Sequence, residues 1–319
     1  MDQASHLDAL LAPLRADVVS GAAVVARMGA EVMRRAVRRV TADTVPDLRS
    51  AMANAGIRVI EAQPAMAPLV ALVRDVVEAS SSAASVEACR EAVRDACDAF
   101  RAGLETRAQV VAARAAALLP REGDVLTLSS SSTVRAALMR GARERRGRVV
   151  VLESRPMQEG RTLATTLARE GISVLFAVDA AGAELASSCA MVLLGADSIG
   201  DHGVVNKIGS LAVARAATLA GVPVVVATDA TKILPPGFPQ PLSDERPAEE
   251  VWRPPANVRI WNRYFEAVPL EAVTTIVTES ATVGPSEMEA LRSDIPLPDE
   301  LREWALAWAE DGPESGRSM

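Results

Sequence analysis

The chain has 319 residues, 49% of them hydrophobic, and a formal net charge of −7. Such hydrophobicity excludes a disordered chain, and the length suits one large domain or two modest ones with real cores. The acidic balance argues against a protein that coats nucleic acid.

No apolar run reaches the roughly 18 residues of a membrane span, and the start, Met1 to His6, carries no basic leader segment. A cytoplasmic protein without a membrane or direct nucleic-acid partner is therefore expected. The three cysteines, Cys89, Cys97 and Cys189, are odd in number and lack metal-ligand spacing, and there are only two histidines. No metal site is expected. Of 34 basic residues only Lys207 and Lys232 are lysines. In an arginine- and alanine-rich sequence, the mark of a GC-rich genome, both fall in loops after predicted strands. A compact ammonium there suits phosphate as a point charge, with chance placement as the alternative.

In chain order, residues 4–119 read as helical, with helices expected at about 4–14, 17–39, 44–56, 66–79 and 84–118. Asp43 or Thr44, and Ser82 or Ser85, are candidate caps, and Pro46, Pro64 and Pro68 punctuate the segments. From Pro120 the pattern changes to short apolar strands alternating with helices. Strands are expected at 125–128, 148–152, 173–177, 190–194, 222–227 and 274–278, with helices near 133–146, 160–170, 181–187 and 208–220. This is the pattern of an α/β fold: a Rossmann-like, doubly wound, mostly parallel sheet. The expected organisation is a helical domain over 1–119, a ligand-binding and dimerisation domain over 120–310, and a frayed tail over 311–319. The proline-rich 233–256 reads as an irregular excursion.

A parallel sheet brings its C-terminal strand ends to one edge, where open α/β sheets bind ligands. The richest of these ends is 195–210, with four glycines, Asp197, His202, Asn206 and Lys207 leading into a helix. It suits an anion, or it is a solvated turn. Ser129 to Thr133 form a hydroxyl-rich turn that could donate to a phosphate or cap a helix. Arg155 and Arg161 suit a phosphate or carboxylate, or make surface salt bridges. Asp179 ends the third strand, and Lys232 follows the fifth. Cations plus carboxylates plus hydroxyls suit a phosphorylated polyol. No dinucleotide fingerprint or P-loop occurs, so no cofactor is expected. His202, beside Asp201 and Gly203, reads as ordering a turn.

Val125 to Val134, Val151 to Pro156 with Glu159-Gly-Arg161, Gly195-Ala-Asp197, Val205-Asn-Lys-Ile-Gly-Ser210, Lys232, and Asn262 to Pro269 with Thr278-Glu279 resemble pieces of one superfamily. It contains the alpha, beta and delta subunits of translation initiation factor 2B, and two enzymes, methylthioribose-1-phosphate isomerase and ribose-1,5-bisphosphate isomerase. The resemblance covers about 120–280. It implies a helical domain, a Rossmann-like domain that dimerises, and a phosphorylated sugar or nucleoside phosphate as ligand. It assigns Asp197 and Ser129 to proton transfer, and Asn206 and Lys207 to holding substrate. Ser131, Arg155, Arg161 and Lys232 complete the substrate-binding set.

Ser129 stands where the enzymes carry a cysteine, and a hydroxyl is a far poorer acid or base than a thiol. The enzymes' early Arg-Gly-Ala is matched only by Ser20-Gly-Ala22. The hydroxyl-rich 129–133 turn is similar to the regulatory subunits, whereas Gly-Ala-Asp and Asn-Lys are similar to the isomerases. Two readings follow: a phosphosugar-binding protein with aldose–ketose isomerase activity, or a non-catalytic regulatory or assembly subunit that senses a sugar phosphate.

Overall fold

A computed structural model describes residues 3–17, 20–141, 145–242 and 245–311. Against the expected division at 119/120, the chain folds as two compact units that are not contiguous in sequence. One comprises 1–106, 231–241 and 292–319, and the other 107–230 and 242–291. The tail expected over 311–319 lies, from 312 onward, outside the described residues.

The first unit is helical. It holds α1 (Gln3–Ala16), α2 (Ala22–Ala36), α3 (Val45–Ala62), α4 (Ala67–Ser81), most of α5 (Val86–Ala117) and α11 (Asp299–Asp311). Thr44 caps α3 by accepting the Asp47 N–H at 3.3 Å, and Ser85 accepts the Ala88 N–H at 3.2 Å at the head of α5. Helix α4 is apolar over its first two turns, and Ala67 through Val73, with Val76 and Val77, are buried. Its leucines and valines, with Leu11, Met33, Met52 and Phe100, form one core. Phe238 and Leu301, from the two later segments, join that core, which is why those segments belong to this unit.

The second unit carries the expected α/β sheet. Its strands are β1 (Val125–Thr127), β2 (Val149–Leu152), β3 (Val174–Ala177), β4 (Met191–Leu194), β7 (Val224–Ala227), β9 (Thr275–Val277) and β10 (Thr282–Val283). Their order is β10-β9-β7-β4-β1-β2-β3, parallel throughout except for β10. Strands β1, β2, β4 and β7 are wholly buried, as continuous Val/Leu runs require in a sheet covered on both faces. Helices α6 (Ser132–Gly141), α7 (Glu159–Arg169), α8 (Gly182–Ser188) and α9 (Ser210–Leu219) alternate with them, and α10 (Pro285–Ser293) follows β10.

The glycine-rich stretch after β4 is not a loop. It forms a hairpin, β5 (Ser198–Gly200) with β6 (Gly203–Lys207), and β8 (Phe265–Val268) pairs on the far side of β6, all antiparallel. His202 is exposed in the hairpin turn. Among the described residues, no helix is long and apolar enough to cross a membrane.

Candidate functional site

The sheet reverses direction of growth between β1 and β4. From β1 the chain proceeds through β2 to β3, and from β4 it proceeds outward to β7. Ligands bind open α/β sheets in the crevice outside the strand C-termini at such a switch point. Ser129 leaves β1 and Asp197 leaves β4, so the two flank it. Their segments touch, because a Cβ built on Gly195 would lie 2.8 Å from Ser131 Cβ. Only glycine lets the β4 exit run this close.

Ser129 is held rigidly. Its φ is +67°, and its N–H donates to Ser154 Oγ at 2.7 Å. Ser154 is itself buried, with its hydroxyl donating to Leu152 O at 3.0 Å. Asp179, expected to hold sugar hydroxyls, instead accepts backbone hydrogen bonds. Its two carboxylate oxygens take the Ser154 and Arg155 N–H groups, each at 2.7 Å. It clamps the loop that follows β2.

The Ser129 hydroxyl donates to Glu159 Oε1 at 3.1 Å, and the same oxygen lies 2.7 Å from Lys207 Nζ. The Lys207 side chain is only 4% exposed, so this ion pair is largely withdrawn from water. Buried ion pairs need further partners to offset desolvation. The Tyr264 ring supplies one for Lys207, with its centroid 4.9 Å from Nζ, and Arg246 lies equally close to the same ring. Tyr264 donates its hydroxyl to Glu250 Oε1 at 2.7 Å, and Asn262 Nδ2 donates to Glu250 Oε2 at 2.9 Å. Burial, reinforced by the Glu250 hydrogen bond and charge, pushes the Tyr264 phenol up to about 12.

The other expected residues divide. Asp197 is partly exposed, and its N–H donates to Val205 O at 2.8 Å, which places it level with Asn206 across the β5–β6 hairpin. Ser131 Oγ accepts the Val134 N–H at 3.3 Å, the capping alternative. Asn206 is buried, its amide donating to Ser210 Oγ at 2.9 Å, and it shapes the turn into α9. Arg161 pairs with Glu153 on the surface, and Arg155 Nη2 donates to Val251 O at 3.1 Å. Lys232 ends a short 3-10 turn, Ala230–Lys232, and groups with the helical unit. The anion at the head of α9 is the chain's own Glu266.

Sequence reasoning gave Glu159, Tyr264, Glu250 and Arg246 no role. Tyr264 carried a signal, being the only tyrosine in the chain. Glu159 opens α7 directly after the loop following β2, a position on the same sheet edge as Ser129. All three cysteines are buried, and burial drives Cys189 up to about 11 and Cys97 up to about 12.

Residues 18–285 match the family described as the initiation factor 2 subunit family, IF-2B. Ribose 1,5-bisphosphate isomerase of Thermococcus kodakarensis is 28% identical over 308 residues, 92% of this chain and 93% of that one. The enzyme of the same name from Haloferax volcanii is 29% identical over 287 residues, covering 87% and 88%. Among solved structures, translation initiation factor eIF-2B of Pyrococcus horikoshii OT3 superposes with a TM-score of 0.73 at 27% identity, over 88% of this chain and 98% of that one. A chain of the tetrameric eIF2B-beta2-delta2 complex from C. thermophilum gives 0.74 at 21% identity, over 92% and 95%, a likeness of fold.

Proposed function

Since the chain belongs to the initiation factor 2 subunit family, we propose that it binds a phosphorylated sugar and isomerises an aldose 1-phosphate of the ribose 1,5-bisphosphate type to its 2-ketose. The observation that carries this reading is the switch point flanked by Ser129 and Asp197 and bordered by the buried Lys207–Glu159 pair. Likeness to ribose 1,5-bisphosphate isomerases over nearly the whole of both chains supports it.

The chemistry is modest. The bond from C1 to the ring oxygen breaks as that oxygen takes a proton, the hydrogen on C2 ends on C1, and the C2 hydroxyl loses its proton as the ketone forms. The phosphate stays on C1. Oxidation at C2 balances reduction at C1, so the reaction needs a proton donor, a proton acceptor and a fixed substrate. In this reading Asp197 and Ser129 serve the protons. Lys207, with Ser131, Arg155, Arg161 and Asn206, provides charge and hydrogen-bonding groups for the substrate. The reading extends to a homodimer, tested by light scattering on the eluting protein.

A second reading rests on Ser129 itself. A hydroxyl in that place, beside a lysine whose charge is already met by Glu159, also suits a subunit that senses a sugar phosphate without turning it over. Thermal shift and phosphorus or carbon NMR with ribose 1,5-bisphosphate, methylthioribose 1-phosphate and nucleoside monophosphates separate the two. Ketose formation abolished by Asp197→Asn supports the isomerase. Tight binding without ketose, indifferent to Asp197→Asn, supports the sensor. No binding of any phosphorylated sugar defeats both.

A further inference from the structure

A serine hydroxyl cannot accept or release a proton near neutral pH unless a second group takes up its own. The structure supplies such a group. Glu159 Oε1 stands 3.1 Å from Ser129 Oγ, within hydrogen-bond reach and with the hydroxyl as donor. Its charge is met by Lys207 at 2.7 Å. Its other oxygen, Oε2, is buried with no hydrogen-bond partner, which is costly for a carboxylate and leaves a lone pair open to a proton. The geometry of Ser129 is locked from behind by Ser154, and Ser154 by Asp179. A chain of fixed contacts thus runs from Asp179 through Ser154 to Ser129 and on to Glu159 and Lys207.

We propose that Glu159 is the proton acceptor behind Ser129, a positioning residue that lets a hydroxyl perform the proton transfer at the switch point. This inference rests on the isomerase reading above. As the C2 hydroxyl of the sugar gives its proton to Ser129 Oγ, Ser129 passes its own to Glu159 Oε1. The O–H electron pair left on the sugar becomes the second bond of the ketone. The hydrogen of C2 moves with its electron pair to C1, and Asp197 protonates the ring oxygen that C1 releases. Serine is unchanged at the end, Glu159 has gained the proton Asp197 has lost, and exchange with water restores both.

The test measures kcat and KM on ribose 1,5-bisphosphate for the full chain and its Glu159→Gln, Ser129→Ala, Ser129→Cys and combined variants, with thermal melting alongside. Glu159→Gln should lower kcat at least 100-fold with KM held within threefold. Ser129→Ala with Glu159→Gln should be no worse than either alone, because the two act as a unit. A thiol ionises near pH 8.5 and needs no such partner. In the Ser129→Cys protein, Glu159→Gln should therefore cost less than about fivefold. A purely structural glutamate would be equally damaging in both backgrounds, and that result overturns the proposal. Retained kcat in Glu159→Gln overturns it too. If the wild type itself forms no ketose, the isomerase reading falls and takes this inference with it. A failure confined to the variants leaves that reading standing.

Discussion

Glu266 accepts the backbone N–H of Gly209 at 2.7 Å, and the same oxygen accepts that of Leu211 at 2.8 Å. A carboxylate on β8 thus satisfies two N–H groups at the head of α9, where helix geometry leaves donors unpaired and the dipole favours negative charge. The glycine-rich stretch ends on an anion the protein carries itself. Glu266→Ala should lower stability by about 1–2 kcal/mol, the usual worth of a charged cap, read from urea unfolding. Glu266→Gln, which keeps an acceptor but loses the charge, should recover part of that. An unchanged unfolding midpoint in Glu266→Ala would show the cap to be inconsequential.

Gly160 stands where α7 meets β2, and a Cβ there would lie 1.9 Å from Leu152 O. Backbone meets backbone, so no side chain can move aside. Gly160→Ala should cost more than about 3 kcal/mol and yield little folded protein. Gly171, at φ +77° with nothing within 4 Å of its Cβ position, is the control. Gly171→Ala should cost only about 1 kcal/mol, from the left-handed backbone alone. Thermal melting of the two variants side by side makes the comparison.

These local constraints mark how far the sequence could be read. The apolar runs of β1, β2, β4 and β7 and the helices between them were legible because each run is short, Val/Leu-rich and bounded by turn residues. Ser129, Asp197 and Lys207 were legible as polar groups at strand ends. The β5–β6 hairpin was not, because Ser198–Gly200 and Gly203–Lys207 are too short and too interrupted by glycine for a twofold period to show. Partnerships over distance were hidden as well. Asp179 reaches back 25 residues to clamp Ser154, and Glu266 lies 57 residues from Gly209. For Asp179 the sequence shows a carboxylate at a strand end and cannot tell a structural clamp from a ligand group. Segment 231–241 was hidden for another reason. Its place depends on Phe238 packing against Trp304, with ring centroids 5.7 Å apart, a contact no local pattern announces.

In the helical unit, Glu31 accepts from Arg34 at 2.9 Å and from Arg35 at 2.6 Å, with Arg101 at 3.3 Å. The Arg34 hydrogen bond leads in holding its carboxyl down to about 2, against the opposing effect of burial. A depressed folded-state value means the unfolded chain binds the proton first. The stabilisation is whole above about pH 4.5 and drains away as the pH falls toward 2. Because the network is partly open to solvent, the effect should amount to about 1 kcal/mol. Glu31→Gln should lower the unfolding free energy read from urea titration by that amount at pH 7 and leave it unaltered at pH 2. Equal losses at both pH values would assign the effect to packing.

Tyr264 gives the opposite sign at the other end of the scale. Its phenol is raised to about 12 by burial and by Glu250, so the folded protein keeps a proton that the unfolded chain releases near pH 10. The stabilisation is complete below pH 10 and is lost as the pH rises toward 12. Being the only tyrosine, it can be titrated alone, by the tyrosinate absorbance near 295 nm. The folded protein should show its midpoint well above pH 11, and the urea-unfolded protein near 10. Tyr264→Phe should abolish the absorbance change and remove that part of the alkaline stability loss. It should also cost about 1–2 kcal/mol at pH 7, because Glu250 Oε1 loses its 2.7 Å donor. A midpoint near 10 in the folded protein would mean that the phenol is open to water. The wall of cations and carboxylates around Lys207 would then be looser than the 4.9 Å ring contacts indicate.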